Sequence, residues 1–188
     1  MTKMFEALEN AGQGRGGVGV SPALNSGMRI PKGLEAKLLA VAGRITMQRP
    51  REGSVVVQFI SGQEGEDSSR IATTFAKLVP SRLGRPTLLL AAGQRPASRK
   101  LLPSTGAKGW EAILTGEASV EDTIYSTSIP GLSVGEISAN SATLPTVLAS
   151  AKTQQILDSL RARFDMIVID APPLGGSWDA LVLSQITD

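Results

Sequence analysis

The chain has 188 residues, enough for one domain with a sizeable core. Hydrophobic residues make up 41% and charged residues 19%, an ordinary globular composition, and a net charge of +2 is too small to argue for nucleic-acid binding even with a pI near 9.2. Cys and His are absent, which excludes Cys/His zinc sites, disulfides and a Ser-His-Asp triad within the chain and suits a cytoplasmic setting.

The first residues, Met1-Thr-Lys-Met-Phe5, lack an apolar signal core, and no run approaches the roughly 18 apolar residues of a membrane span. Residues 4–10 place Met4, Phe5 and Leu8 on one helical face. A frayed terminus and a docking segment for a partner both fit, with Phe5 and Leu8 as the docking residues. Residues 11–33 are Gly-rich, carry Pro22 and Pro31 and have no periodicity, as a flexible linker would. The expected organisation is therefore a short N-terminal segment (1–10), a linker (11–33) and one domain (34–188).

Residues 34–47 space Leu34, Leu38, Leu39, Val41, Ala42 and Ile45 as a helix does, and Pro50 marks its end. An apolar, β-branched run at 55–60 predicts the first buried strand. A glycine-bearing loop follows at 61–67, then a helical run at 68–78. Residues 87–92 predict a second strand, with a loop after it at 93–97. Residues 110–114 predict a helical turn ended by Gly116. Residues 120–125 predict another, with Glu121 and Asp122 suited to its first turn. A third strand is expected at 131–137 and a partly helical connector at 141–148. Residues 153–164 predict an amphipathic helix with Ile156, Leu157 and Leu160 inward. Residues 165–170 predict a fourth strand ending in a carboxylate, broken by Ala171-Pro-Pro. A last helix is expected at 178–186. Trp110, Trp178 and the lone Tyr125 read as packing residues rather than ligand platforms.

Strands alternating with helices predict an α/β domain whose mostly parallel sheet has helices on both faces. A further strand–helix unit would be expected after Asp188, so the sequence reads as a fragment or as a shortened member of its fold class.

Strand, glycine loop and helix at 55–78 are the layout of a phosphate-binding loop, in which backbone N–H groups and a helix N-terminus hold phosphates and a lysine reaches the outer ones. Aligned with GxxxxGK[ST], the loop supplies Gly62, then Asp67 for the second glycine, Ser68 for the lysine and Ser69 for the hydroxyl. The candidate nucleotide-binding remnant is Gly62, Gly65, Ser68, Ser69 and Arg70. Two glycines after a strand are common in α/β domains, and Glu64, Glu66 and Asp67 crowd carboxylates around an anion site. A lost lysine–phosphate contact removes about 1.5–3 kcal/mol, one to two decades of affinity, and more from phosphoryl transfer. Arg70 is the candidate substitute cation. The run Phe164-Asp-Met-Ile-Val-Ile-Asp170-Ala-Pro-Pro173 fits a Walker B strand, whose Asp170 would orient Mg²⁺ with Ser69. An Asp that merely opens a turn is the plainer alternative.

On these stretches the chain resembles the bacterial tyrosine kinase family of capsule and exopolysaccharide synthesis, whose deviant-Walker P-loop fold is shared with MinD/ParA ATPases. Residues 61–69 stand where the family shows Ser-x-x-Pro-Gly-Glu-Gly-Lys-Ser/Thr, and 87–96 where it shows Leu-Leu-Ile-Asp-x-Asp-x-Arg-x-Pro. Residues 109–122 and 129–134 resemble its connecting region. Residues 164–173, with Asp179-Ala-Leu after them, resemble its Walker B segment. Asp170, Arg95, Ser69 and Asp179 match. Ser68 replaces the lysine, Ala91 and Gly93 replace the second-motif aspartates, Glu35 is followed by Leu38 rather than Arg in the oligomerisation helix, and the tyrosine-rich tail is absent. The resemblance implies a P-loop NTPase-like domain emptied of catalytic groups, with Asp170 and Arg95 as remnants. It further implies a cytoplasmic partner of a membrane polysaccharide co-polymerase, at the membrane only through that partner, without nucleic acid and with a homo-oligomer open. The alternatives are an active ATP- and Mg²⁺-dependent kinase or ATPase and a MinD/ParA-like positioning factor.

Overall fold

The computed structural model describes residues 33–48, 53–63, 67–92, 97–137, 148, 150–175 and 179–188. The expected docking segment with Phe5 and Leu8, the linker as far as residue 32, most of the connector at 141–148, and Gly65, Gly93, Arg95 and Trp178 lie outside them.

Along the chain the elements are α1 (Leu34–Gln48), β1 (Val55–Phe59), α2 (Ser68–Leu83), β2 (Thr87–Ala91), α3 (Trp110–Thr115), β3 (Ile124–Ser126), β4 (Leu132–Glu136), α4 (Ala151–Arg161), β5 (Met166–Asp170) and α5 (Asp179–Leu183). Short 3₁₀ turns lie at Ala97–Leu101, Glu121–Thr123 and Ser184–Ile186. The sheet order is β1-β5-β2-β4-β3. The first four strands in that order run parallel, and β3 pairs antiparallel with β4. The two central strands, β2 and β5, are buried along their whole length. That burial suits their largely apolar sequences, since strands covered on both faces need no polar alternation.

Helices cover both faces. On one, Phe75, Ala76 and Val79 of α2 and Leu38 and Ala42 of α1 pack on Leu89 and Val168. On the other, Trp110 of α3, Leu157 and Leu160 of α4 and Leu183 of α5 pack on Leu88 and Ile167. Alternate residues of each strand thus serve opposite cores, the period-two consequence of the pleat.

Three predicted boundaries move. The helix expected at 68–78 continues to Leu83, through Pro80. Proline costs a helix its N–H, but Val79 and Pro80 are buried here, and Gly84 closes the helix in the left-handed region with its N–H on the Pro80 carbonyl at 3.1 Å. The helical turn expected at 120–125 is a 3₁₀ turn only as far as Thr123. Ile124 and Tyr125 then become strand, opposite Gly135 and Val134. The helix expected from residue 153 begins at Ala151, because the Ser150 side chain accepts the Thr153 N–H at 3.2 Å as its N-cap. Trp110 is fully buried, as a packing residue should be. Half-buried Tyr125 also takes a hydrogen bond on its hydroxyl from the Lys108 N–H at 2.7 Å.

Candidate functional site

In open α/β sheets ligands bind beyond the carboxyl ends of the strands. Here β1, β5 and β2 end side by side, placing Phe59 next to Asp170 and Asp170 next to Ala91. On the other side of Ala91, in the β2–β4 register, stands Glu136.

The loop after β1 delivers Ser69 to Asp170. Ser69 is the second residue of α2, and its hydroxyl donates to Asp170 Oδ2 at 2.5 Å. The same hydroxyl oxygen accepts the Ala97 N–H at 2.5 Å. Ser98, next along that 3₁₀ turn, donates its hydroxyl to the same Oδ2 at 3.1 Å. Asp170 is 1% exposed. Burial pushes its carboxyl above the ordinary value of 3.8, while the bonds from Ser69 and then Ser98 favour the carboxylate and offset part of that rise.

Asp67 occupies the N-cap position of α2 without bonding the helix through its side chain. It pairs instead with Arg70, Nη1 to Oδ1 at 3.5 Å, in an exposed i,i+3 contact. Ser68, at the lysine position, is half-buried. The start of the loop is tied down from behind. Leu174 donates its N–H to the Ser61 carbonyl at 3.0 Å, and Gly175 donates to the Gly62 carbonyl at 3.2 Å. A Cβ on Gly175 would itself sit 3.2 Å from that carbonyl, so the approach favours glycine. At the far side, Glu136 is engaged by Arg99, Nη1 to Oε1 at 3.3 Å. Asp179 opens α5, whose Ala180 carbonyl accepts the Gln58 side-chain amide at 2.8 Å.

Of the residues singled out in the sequence, Ser69 and Asp170 meet directly, Ser68 precedes Ser69 in the chain, and Arg70 pairs with Asp67. The Ala97 N–H and the Ser98 hydroxyl were not anticipated. Their only sequence signal is position, directly after the Arg95-Pro96 step of the second motif.

No protein-family model matches the chain. It is 29% identical over 170 residues to the tyrosine-protein kinase CpsD of Streptococcus agalactiae, covering 88% of this chain and 72% of that protein. The crystal structure of the VpsO kinase domain aligns with a TM-score of 0.65 and 25% identity over 82% of this chain and 77% of the other. MinD of Pyrococcus horikoshii aligns with a TM-score of 0.52 and 20% identity over 71% of this chain and 55% of the other. Sheet order, loop position and these likenesses define a P-loop NTPase-like domain of the MinD/ParA type. Within that class, the chain is similar to bacterial tyrosine-protein kinases, and the CpsD relative supports that family.

Proposed function

We propose that this chain is a catalytically impaired member of its family. In this reading it acts in the cytoplasm as partner or regulator of a membrane polysaccharide co-polymerase, supporting exopolysaccharide or capsule export without phosphoryl transfer. The supporting observation is the state of Ser69. Its hydroxyl is committed on both sides, donating to Asp170 and accepting from Ala97, while Asp170 Oδ2 takes a second hydroxyl from Ser98. The corner that would hold Mg²⁺ keeps a hydroxyl and a carboxylate, the right donor types. The residues beside it do not fit a triphosphate. Ser68 brings no cation, Asp67 brings a carboxylate, and Ala91 offers no group to take or orient a proton. Phosphoryl transfer depends almost wholly on charge stabilisation and positioning, so these losses weigh more on chemistry than on folding.

Residues 1–10, with Phe5 and Leu8, and the linker at 11–33 are the proposed docking arm, since a tethered amphipathic segment can order on binding. Association with the membrane would run through that partner. Incubation of the purified chain with labelled ATP and Mg²⁺ tests the impairment. The expected result is no transfer to the chain or to the partner's cytoplasmic tail, and robust autophosphorylation would contradict it. Deleting residues 1–12 should abolish co-purification with the co-polymerase, and unchanged association would remove the docking arm.

The retained Ser69–Asp170 pair favours a second reading, an active ATP-dependent kinase or ATPase with a non-standard loop in which Arg70 replaces the lysine. In that reading Ser69 and Asp170 would hold Mg²⁺, and Gly62, Gly65 and Arg95 would line the nucleotide. Tight Mg·ATP binding abolished by Asp170→Ala is its signature. A positioning factor of the MinD/ParA kind would instead dimerise on adding nucleotide.

A further inference from the structure

Ser98 is fully buried in the 3₁₀ turn at Ala97–Leu101, and its hydroxyl donates to Asp170 Oδ2 at 3.1 Å. The residues on either side of it are anchored as well. Ala97 donates its N–H to Ser69 Oγ at 2.5 Å, and Arg99 Nη1 meets Glu136 Oε1 at 3.3 Å. In the strand register Ala91 stands between Asp170 and Glu136. Three consecutive residues thus tie one turn to the start of α2, the end of β5 and the end of β4. The ties are unequal. The Arg99 side chain is exposed, so its ion pair contributes little. The Ser98 bond is buried and runs to a carboxylate, which is the stronger kind.

Asp170 Oδ2 carries two lone pairs, and the hydroxyls of Ser69 and Ser98 each take one. A cation the size of Mg²⁺ needs a lone pair from every oxygen that holds it, at about 2.0–2.1 Å. Oxygens on adjacent corners of its octahedron then lie about 3 Å apart. Ser69 Oγ and Oδ2 are 2.5 Å apart, so they must separate to share such an ion. Ser69 would stay as a ligand. Ser98 is therefore the hydroxyl that has to leave. It is buried, so its departure shifts the turn and takes the Ala97 N–H with it.

We propose that Ser98 latches the cation corner: its hydroxyl holds the Asp170 lone pair that a divalent cation needs, and the cation enters only as the turn at Ala97–Leu101 lets go. This role rests on the reading of Ser69 and Asp170 as what is left of a Mg²⁺ corner in a catalytically impaired chain, and it adds what keeps that corner shut. Ser98 acts through the Asp170 carboxylate, so it is a positioning residue.

The test titrates the full chain with Mn²⁺ alone and follows paramagnetic broadening of the Ala171 amide, the residue directly after Asp170. Two variants release the latch. Ser98→Ala removes the hydroxyl, and Ser98→Cys keeps the shape of the side chain with a thiol that is a weak donor. Both should reach half-broadening at about tenfold less Mn²⁺ than the unmodified chain. Glu136→Gln loosens the other end of the turn but frees no lone pair on Asp170, and it should change that concentration less than about twofold. Asp170→Asn should lose the broadening. Equal Mn²⁺ response of the unmodified chain and both Ser98 variants would overturn the proposal. So would an equal gain in Glu136→Gln, which would assign the effect to general loosening, or no saturable broadening in any of these proteins. Transfer of label from ATP by the unmodified chain is a separate readout and overturns the impaired reading.

Discussion

Ser69 and Asp170 stand 101 positions apart in the chain and share a hydrogen bond of 2.5 Å, the hydroxyl donating to Oδ2. The bond joins the start of α2 to the end of the central strand β5. It therefore holds the start of α2 against the sheet, whatever the site now binds. Removing it has a structural consequence. Ser69→Ala leaves Asp170 with the Ser98 hydroxyl as its remaining hydroxyl partner and leaves the Ala97 N–H without its acceptor. The expected cost is about 1–3 kcal/mol, read as a lower midpoint in urea unfolding at neutral pH.

Asp170 gives a pH dependence with a definite sign. Its carboxyl is raised above 3.8 in the folded protein, so between the unfolded and folded values the native state holds a proton that the unfolded state has released. Stability must then fall as pH rises through that interval, and the penalty is complete above the folded value. Asp170→Asn removes the ionisation while its amide oxygen can still accept from Ser69 and Ser98. Unfolding measured from about pH 3.5 to 7 should show the variant gaining on the parent as pH rises. A constant difference between the two would contradict the shift.

Much of the sheet was legible in the sequence, because β1, β2 and β5 are largely apolar runs and β4 alternates apolar with polar residues, with Gly and Pro between the elements. What escaped were local features decided by distant contacts. Pro80 signals a helix end, yet burial of Val79 and Pro80 carries α2 past it. Glu121 and Asp122 signal a helix start, yet Ile124 is drawn into the sheet by β4. The Ser69–Asp170 pair was readable from loop and strand motifs. The bond from Ser98 was not, since a serine in a turn carries no period and no motif of its own.

Gly135 shows why β3 can approach β4. A Cβ at this position would lie 3.1 Å from the Thr123 carbonyl, 3.1 Å from Leu90 and 3.3 Å from Ile124. Gly135→Ala should therefore overpack the antiparallel edge and cost about 1–3 kcal/mol, seen as a lower thermal midpoint. An unchanged midpoint would mean that β3 shifts outward without penalty.

Restoring the loop should restore some affinity. Ser68→Lys with Asp67→Gly returns a cation and removes a carboxylate and a side chain from the helix entrance. The expected gain is about ten- to a hundredfold in ATP affinity, measured by calorimetry. Phosphoryl transfer should stay undetectable, because Ala91 and Gly93 still supply no carboxylate.

Calorimetric titration of the purified, unmodified chain with ATP and ADP, with and without Mg²⁺, tests the emptied site most directly. The expected result is no detectable heat up to about 1 mM nucleotide. Micromolar, Mg²⁺-dependent binding that Asp170→Ala abolishes would contradict it and make the active kinase or ATPase the better reading.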